Sequence, residues 1–572
     1  MEYFLALTVL ACVLVQGGYF PTIFLLAGLV LAGGFVCAKI KKTSGICLVW
    51  ALAVWYLCAA LQTGYRADVC AQAFLPVSCA MFLTLYRSLP GAKRERFFSI
   101  LILGGSAAAG ISILAFCGVL PLNGAVTARR LQGTFQYANA AGSWFAATAL
   151  LAQDSGDSRC RKLSPVNITA LFLTRSTAAI GLYLLMQGVR AFLRRKDSAW
   201  TGAILLHTAA LAFAVVFFLV SGWPAVPILL ALFLLGWQMD RIGPICRRFH
   251  IQWFSLILAA VSVVAALYSQ RFASSLSTFA ERLVQMKDGF GVLVCHPLFG
   301  LGAGNWSVLS AYFQSAQYSA SVIHSSPVMI GVDAGIPALA ISAGLVVLGL
   351  KTGRRNLPQN LAVSLLLLHS MFDFTMRFFP LAVLLLALLF ADEEVCADSS
   401  RTALWKVTAA VCALLCIWLL GGELSGKKLN TYVNTQNWTA AQDYYKKRRF
   451  LFGESRKARN AYVCAVYQDG NMELVLRLTQ DTEGLYPDEL LQRAMALTAL
   501  GDRDGACDFL LEQIEHRLYQ PGLFQKAAEL FQLWKVDDAT INRYNRLAEL
   551  ANQRGTLLGD LMGNQVYIDK IK

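Results

Sequence analysis

His296-Pro297-Leu298-Phe299-Gly300-Leu301-Gly302-Ala303-Gly304-Asn305-Trp306 is followed by His324-Ser325-Ser326-Pro327 and by Asp333-Ala334-Gly335-Ile336-Pro337-Ala338-Leu339, and the chain then runs apolar to Leu350. An amphipathic stretch carrying Arg282 leads up to it. A dense polar and turn-forming island thus opens onto the segment 326–350, which is long enough to cross a bilayer, since about 20 apolar residues span the hydrocarbon core. Outward from this island, apolar runs of the same kind recur from the first residues to about Leu420, after which the chain turns polar.

The composition agrees. Over 572 residues, 56% are hydrophobic and 15% charged, with a mean hydropathy of +0.52, values that belong to a polytopic membrane protein. The expected spans are 3–20, 22–38, 44–62, 69–86, 97–119, 135–153, 163–174, 177–193, 199–220, 224–239, 251–269, 326–350, 357–373, 377–391 and 404–421. The short pairs around Arg175 and Asp373 leave the count at about 12 to 15. The expected fold class is therefore all-α: a polytopic helical membrane domain over 1–421, then a soluble helical domain over 422–572.

The formal net charge is +15, but its placement argues against nucleic acid. Lys39, Lys41 and Lys42, Arg87, Lys93, Arg94 and Arg96, Arg159, Arg161 and Lys162, Arg194, Arg195 and Lys196, Arg241, Arg247 and Arg248, and Lys351, Arg354 and Arg355 all sit in short connections. Assigning these to the cytoplasm by the positive-inside bias gives a consistent alternation with the N-terminus inside. An odd number of spans then puts 63–68, 120–134, 270–325, the bend near 373–377 and the C-terminal domain outside. Met1-Glu2-Tyr3 lacks a basic leader, so the first apolar run reads as a span rather than a removable signal. Most of the fifteen cysteines lie within apolar runs, where a thiol behaves as a small hydrophobe. Without a Cys-x-x-Cys pair, neither a disulfide framework nor a zinc site is indicated.

From Leu424 the pattern is helical, with turn signals at Gln436-Asn437, Gly470-Asn471 and Gly501-Asp502. Their spacing is close to the tetratricopeptide period of about 34 residues, and the domain resembles a tetratricopeptide-like array. That implies a groove for a protein partner or a glycan chain; a helical cap without a ligand is the alternative. Lys446, Lys447, Arg448 and Arg449 read as a solvated helix face.

Polar groups at helix ends and in outward connections of a membrane domain are expensive and point to function. Four sets stand out. Arg129-Arg130-Leu131-Gln132-Gly133-Thr134-Phe135 with Asn139 and Gly142 puts two arginines outside, against the charge bias, where an anionic ligand or lipid headgroups would meet them. Thr174-Arg175-Ser176-Thr177 interrupts a long apolar stretch and marks a hairpin tip, where an arginine either serves a ligand or snorkels. Arg282 precedes the turn with Gly300, Gly302 and Gly304, whose backbone N–H groups suit anion contact, and His324 opens the next span. His369, Asp373 and Arg377 form the fourth set and read as an ion pair closing a short hairpin.

Over residues 95–391 these sets resemble the O-antigen ligase and O-antigen polymerase family of polytopic glycosyltransferases. The resemblance rests on Arg130-x-x-Gly133-x-Phe135 with Asn139, on Pro297-x-x-Gly300-x-Gly302-x-Gly304-Asn305, and on His324-Ser325 followed by Asp333-x-Gly335-Ile336. It departs from the family where Arg175 precedes Ser176 instead of closing a Thr-x-Ser-Arg run, and where Ser325 and Asp333 stand for the usual asparagine and glutamate. The resemblance implies a GT-C-like helical fold with an outward catalytic loop over 270–325. It also implies transfer of a glycan from an undecaprenyl diphosphate carrier to a hydroxyl acceptor at the outer face of the cytoplasmic membrane.

In that chemistry Arg282 and His324 would be catalytic. Arg129, Arg130 and Arg175 would hold the diphosphate, because arginine stays charged and presents a planar fork to phosphate oxygens. A histidine, which titrates near neutral pH, suits a base for the acceptor. Gly300, Gly302, Gly304, Asn305, Ser325, Asp333 and Asn139 would support them. No outward Asp-x-Asp pair or EF-hand-like run calls for a metal, and no cofactor is expected. The expected partners are the lipid-linked donor, a glycan, lipid or protein acceptor, membrane lipid, and a protein on the C-terminal repeats. A lipid-linked sugar transporter and a non-catalytic envelope scaffold are the competing classes, and ligase and polymerase read alike.

Overall fold

The computed structural model describes all residues except 39, 64–65, 194–198, 249–269, 392–396, 399–401, 453–454, 483, 563–565 and 572. The expected span at 251–269 and the basic residues at 39 and 194–196 therefore lie outside the described residues. Among the described residues the chain is all-α, with strand only in two short antiparallel pairs, Lys41–Lys42 with Ala397–Asp398 and Val126–Thr127 with Arg130–Leu131. Among the described residues five helices are long and apolar enough to cross a membrane: Ser44–Leu61, Arg66–Arg87, Gly91–Phe116, Ser326–Thr352 and Ala403–Asn434. Six shorter apolar helices accompany them.

Each of the other expected spans falls on a helix, and Thr177–Leu193 coincides with its expected limits. Two segments differ from expectation. Gln270–Cys295, expected as the first half of an outward loop, is a helix of 26 residues; no proline occurs in it before His296-Pro297, and its apolar residues repeat at helical spacing. Ser326–Thr352 is broken at Ala334 (φ −147°, ψ 18°) and Gly335 (φ +79°, ψ −177°).

The chain packs as two units. The first comprises Met1–Ala53, Leu75–Ser275 and Ile341–Cys416. At its centre lies Ala138–Gln153, buried from Ala138 to Ala152 and packed on Gly91–Phe116, Ser158–Thr174 and Leu357–Met371. Its run of alanine, glycine and serine lets neighbouring backbones approach closely, the usual basis of helix association in lipid.

The second unit comprises Val54–Phe74, Leu276–Ala340 and Ile417–Lys572. The composition change near residue 421 marks where the chain becomes polar, while this packed unit also takes in two earlier segments. Thr402–Asn434 runs 33 residues, roughly 50 Å at 1.5 Å per residue, longer than a hydrocarbon core, and its last turns belong to the C-terminal helices. Those helices turn where the sequence signalled, at Gln436, Gly470 and Gly501, all with positive φ. Their core gathers Leu490, Leu510, Leu511, Phe524, Phe531 and Tyr544.

Candidate functional site

The arginines of the first unit are positioned by local backbone geometry. Val126–Thr127 and Arg130–Leu131 form a hairpin whose two connecting residues, Ala128 (φ +50°) and Arg129 (φ +54°), both have positive φ. A two-residue hairpin loop of this kind favours asparagine and glycine. An arginine there costs about 1 kcal/mol of backbone strain, and strain of this sort collects at functional sites. The following residue pair, Gln132 and Gly133, donates both backbone N–H groups to Ala125 O at 2.8 and 2.9 Å. Gly133 has φ +56°, and a Cβ there would lie 2.3 Å from Ser112 Oγ, so only glycine fits.

Arg175 also has a left-handed conformation (φ +50°) and ends the helix Ser158–Thr174. Its guanidinium lies over the Phe218 ring, 5.4 Å from the centroid, and the Arg129 guanidinium lies 5.9 Å from the same centroid. Phe218, unmarked in the sequence, is thus a cation–π platform for two cations. Arg130 is fixed from behind: Nε donates to Thr174 O and an Nη donates to Asn139 Oδ1, each at 3.1 Å.

Asn139 is the hub of this group. Its Oδ1 also accepts from Ser176 Oγ at 2.8 Å, while Nδ2 donates to Asp373 Oδ2 at 2.7 Å and to Tyr137 Oη at 3.1 Å. The Tyr137 hydroxyl donates in turn to Asp373 at 2.9 Å. Asp373 is fully buried, and Tyr137 stacks on Phe374 and Phe378. Asp373, expected to close its own hairpin with Arg377, is linked to Arg130 through the Asn139 carboxamide. Arg129, Arg130, Asn139 and Arg175 are brought together as a set, with Tyr137, Ser176 and Phe218 added to it.

In the second unit the glycine turn stitches the broken helix. Leu301 N donates to Val332 O and Ile336 N to Pro297 O, both at 2.8 Å. Trp55 Nε1 donates to Ala334 O at 2.8 Å, and Gly304 N donates to Asp333 Oδ1 at 3.1 Å. A Cβ at Gly335 would fall 2.1 Å from Leu298 O. These bonds satisfy backbone groups that the break frees, which is how irregular backbone survives at membrane depth. Of the glycines expected to offer N–H groups to an anion, Gly300 donates to His296 O and Gly304 to Asp333 Oδ1 within the protein.

Asn305 extends the same construction. Its Nδ2 donates to Leu301 O at 2.7 Å, and its Oδ1 accepts from the buried Arg456 at 3.1 Å. Asp68 caps the helix Arg456–Gln468, accepting from Ser455 Oγ and Arg456 N at 2.8 Å. Further along, buried Arg517 donates to Tyr312 Oη at 2.8 Å, and Gln317 exchanges two 2.8 Å bonds with the Val566 backbone. The segment 297–320 and the C-terminal helices are thus joined by polar contacts, that of Asn305 with Arg456 being buried.

Arg282 and His324 lie on adjoining segments. His324 N donates to Gln285 Oε1 at 3.2 Å, and Gln285 is one helical turn from Arg282, so both share a helix face. Asp288, a further turn on and buried, accepts from Ser315 N at 3.0 Å, Ser315 Oγ at 2.6 Å and Tyr318 Oη at 2.8 Å. Burial, reinforced by the Asp288 carboxylate, pushes the Tyr318 phenol far above its ordinary range and keeps it a donor. Ser325 is fully buried beside His324. Sequence reading missed Gln285, Asp288 and Tyr318; Glu281, Gln285 and Asp288, polar residues recurring at helical spacing, were the available signal.

Among the described residues no group of three or more His, Cys, Asp or Glu is placed to hold a metal ion. No family model matches the chain, and neither does any curated protein.

Proposed function

We propose that this protein is a membrane glycosyltransferase that moves a glycan from an undecaprenyl diphosphate carrier to a hydroxyl acceptor at the outer face of the cytoplasmic membrane. The observation that carries this reading is the gathering of Arg129, Arg130 and Arg175, two of them over one phenylalanine ring. Three arginines drawn together, with backbone strain spent on two of them, suit a diphosphate. The resemblance of Arg130-x-x-Gly133-x-Phe135 and His324-Ser325 to the O-antigen ligase and polymerase family supports the same chemistry.

In the proposed reaction His324 takes the proton from the acceptor hydroxyl as its oxygen attacks the anomeric carbon. The bond from that carbon to the phosphate oxygen breaks, and the electron pair leaves on the carrier diphosphate, held by Arg129, Arg130 and Arg175. Configuration inverts. Arg282 is the second catalytic residue of this proposal, a further cation for the leaving diphosphate. The charge bias supports an N-terminus in the cytoplasm, with the C-terminal helices, read as a tetratricopeptide-like array, outside.

One observation favours a second reading, a lipid-linked sugar transporter. Such proteins use discontinuous membrane helices, and Ser326–Thr352 is discontinuous at Ala334-Gly335. Mass spectrometry of surface glycans in a deletion strain separates the cases. Shortened chains indicate a polymerase, full-length chains retained on outward-facing carrier indicate a ligase, and carrier retained on the cytoplasmic face indicates the transporter.

A further inference from the structure

One cleft among the C-terminal helices takes no part in the chemistry above. It is an open groove of about 500 Å³, within the range of small-molecule sites, roughly 300–1,000 Å³. Three helices line it at helical spacing: Asn430 and Asn434 from Thr402–Asn434, Asn460 from Arg456–Gln468, and Asp488 and Gln492 from Pro487–Ala499. Residues four apart share one helix face, so two of the helices present a polar pair to the same space. Leu491 and Met495 add a small apolar strip.

The lining defines its ligand by what it offers. Gln492 Oε1 is buried and accepts no hydrogen bond within the protein. Among the described residues the side chains of Asn430, Asn434, Asn460 and Asp488 spend no hydrogen bond on the protein either. Carboxamides donate and accept, whereas a carboxylate only accepts. A fitting ligand must therefore bring closely spaced donors and acceptors together. No lysine, arginine or histidine lines the cleft, so a phosphate or carboxylate would meet Asp488 with nothing to offset repulsion. Hydroxyl groups act both ways, and the C–H face of a sugar ring matches the strip at Leu491 and Met495. A peptide would bring side chains in alternating directions, for which this lining has one apolar strip.

We propose that this cleft binds a neutral, hydroxyl-rich saccharide of a few rings, held by Asn430, Asn434, Asn460, Asp488 and Gln492. The proposal goes beyond the transfer reaction and does not depend on it, since neither His324 nor the arginines contribute.

The test is ligand-observed saturation-transfer NMR on the full-length protein in a sugar-free detergent, with maltotriose, chitotriose and mannotriose as probes and no lipid-linked donor present. At least one trisaccharide is expected to bind. Its affinity should fall about tenfold in Asp488→Asn and in Asn460→Ala, the usual effect of losing one hydrogen bond to an accessible ligand. Lys526→Gln, on an exposed helix face outside the lining, should leave it unchanged. Because the readout is binding alone, an absence of transferase activity would neither mimic nor mask the result. Failure of all three sugars to bind, equal binding by the cleft variants and the wild type, or displacement of the sugar by an uncharged glycine/serine peptide would each overturn the proposal.

Discussion

Asn139 Nδ2 donates to Asp373 Oδ2 at 2.7 Å across 234 residues of chain, and the opposite end of the same carboxamide accepts from Arg130 and Ser176. One side chain thus ties the hairpin arginine to a fully buried carboxylate. Asn139→Ala should destabilise the protein by about 3 kcal/mol, because a buried carboxylate loses a donor, while Asp373→Asn should cost less. Thermal unfolding in detergent measures both, and a wild-type midpoint for Asn139→Ala would show that the hub is not structural.

Arg129 offers the opposite trade. Glycine accepts the positive φ without strain, so Arg129→Gly should be neutral to stabilising, by up to about 1 kcal/mol. It should nevertheless weaken donor use, seen as a raised KM for the lipid-linked glycan. A variant that loses both stability and donor affinity would mean the arginine is held for packing.

The helix break makes a steric prediction. Gly335→Ala places a Cβ 2.1 Å from Leu298 O at φ +79°, which should cost more than about 3 kcal/mol and sharply reduce the folded yield. Trp55→Phe removes the donor to Ala334 O and trims the ring stacked on Phe299, so about 1–3 kcal/mol should be lost. Folded yield on size-exclusion chromatography and thermal unfolding separate these grades.

In the C-terminal helices Arg459 grips Glu489, with 3.1 Å between Nε and Oε1. Burial pushes the Glu489 carboxyl above its ordinary value of 4.5, and Arg459 offsets this only in part. The folded state therefore binds this proton more readily than the unfolded chain. Its contribution to stability is fully present below the unfolded value and is lost as pH rises through the raised folded value. Glu489→Ala should cost about 1–3 kcal/mol, because the half-buried Arg459 guanidinium loses its carboxylate and keeps its bond to Gly484 O, whereas the Arg459→Met/Glu489→Leu double variant should lie near the wild type. Denaturation of the single and double variants at neutral and mildly acidic pH provides the check.

Hydropathy made the helices legible because length and apolarity are local properties; Thr177–Leu193 was bounded on that basis alone. The charged hairpin at Thr174-Arg175-Ser176 was legible for the same reason, as an interruption of an apolar run. What joins distant segments was not. Nothing in sequence couples Phe218 to Arg129 and Arg175, or Asn305 to Arg456, since these pairs are made by packing. The glycines at 300, 302 and 304 illustrate an ambiguity of another kind. Glycine marks a backbone that must approach something closely, and here Gly300 approaches the Val332 carbonyl beside the break, Gly302 the Thr63 side chain and Gly304 that of Gln72. Asp373 had the clearer signal, a carboxylate between apolar helices, but its partners lay more than 230 residues away.

The central claim is that His324 and the arginines carry glycosyl transfer, and turnover of an undecaprenyl diphosphate-linked glycan by the full-length protein in membrane vesicles tests it most directly. His324→Ala should lower kcat by about 10²–10⁴-fold, the usual worth of a general base, with insertion and folding retained. Arg130→Ala and Arg175→Ala should chiefly raise the donor KM, and Arg282→Ala should lower turnover alongside His324→Ala. Wild-type turnover by properly inserted His324→Ala and Arg282→Ala proteins would contradict the account.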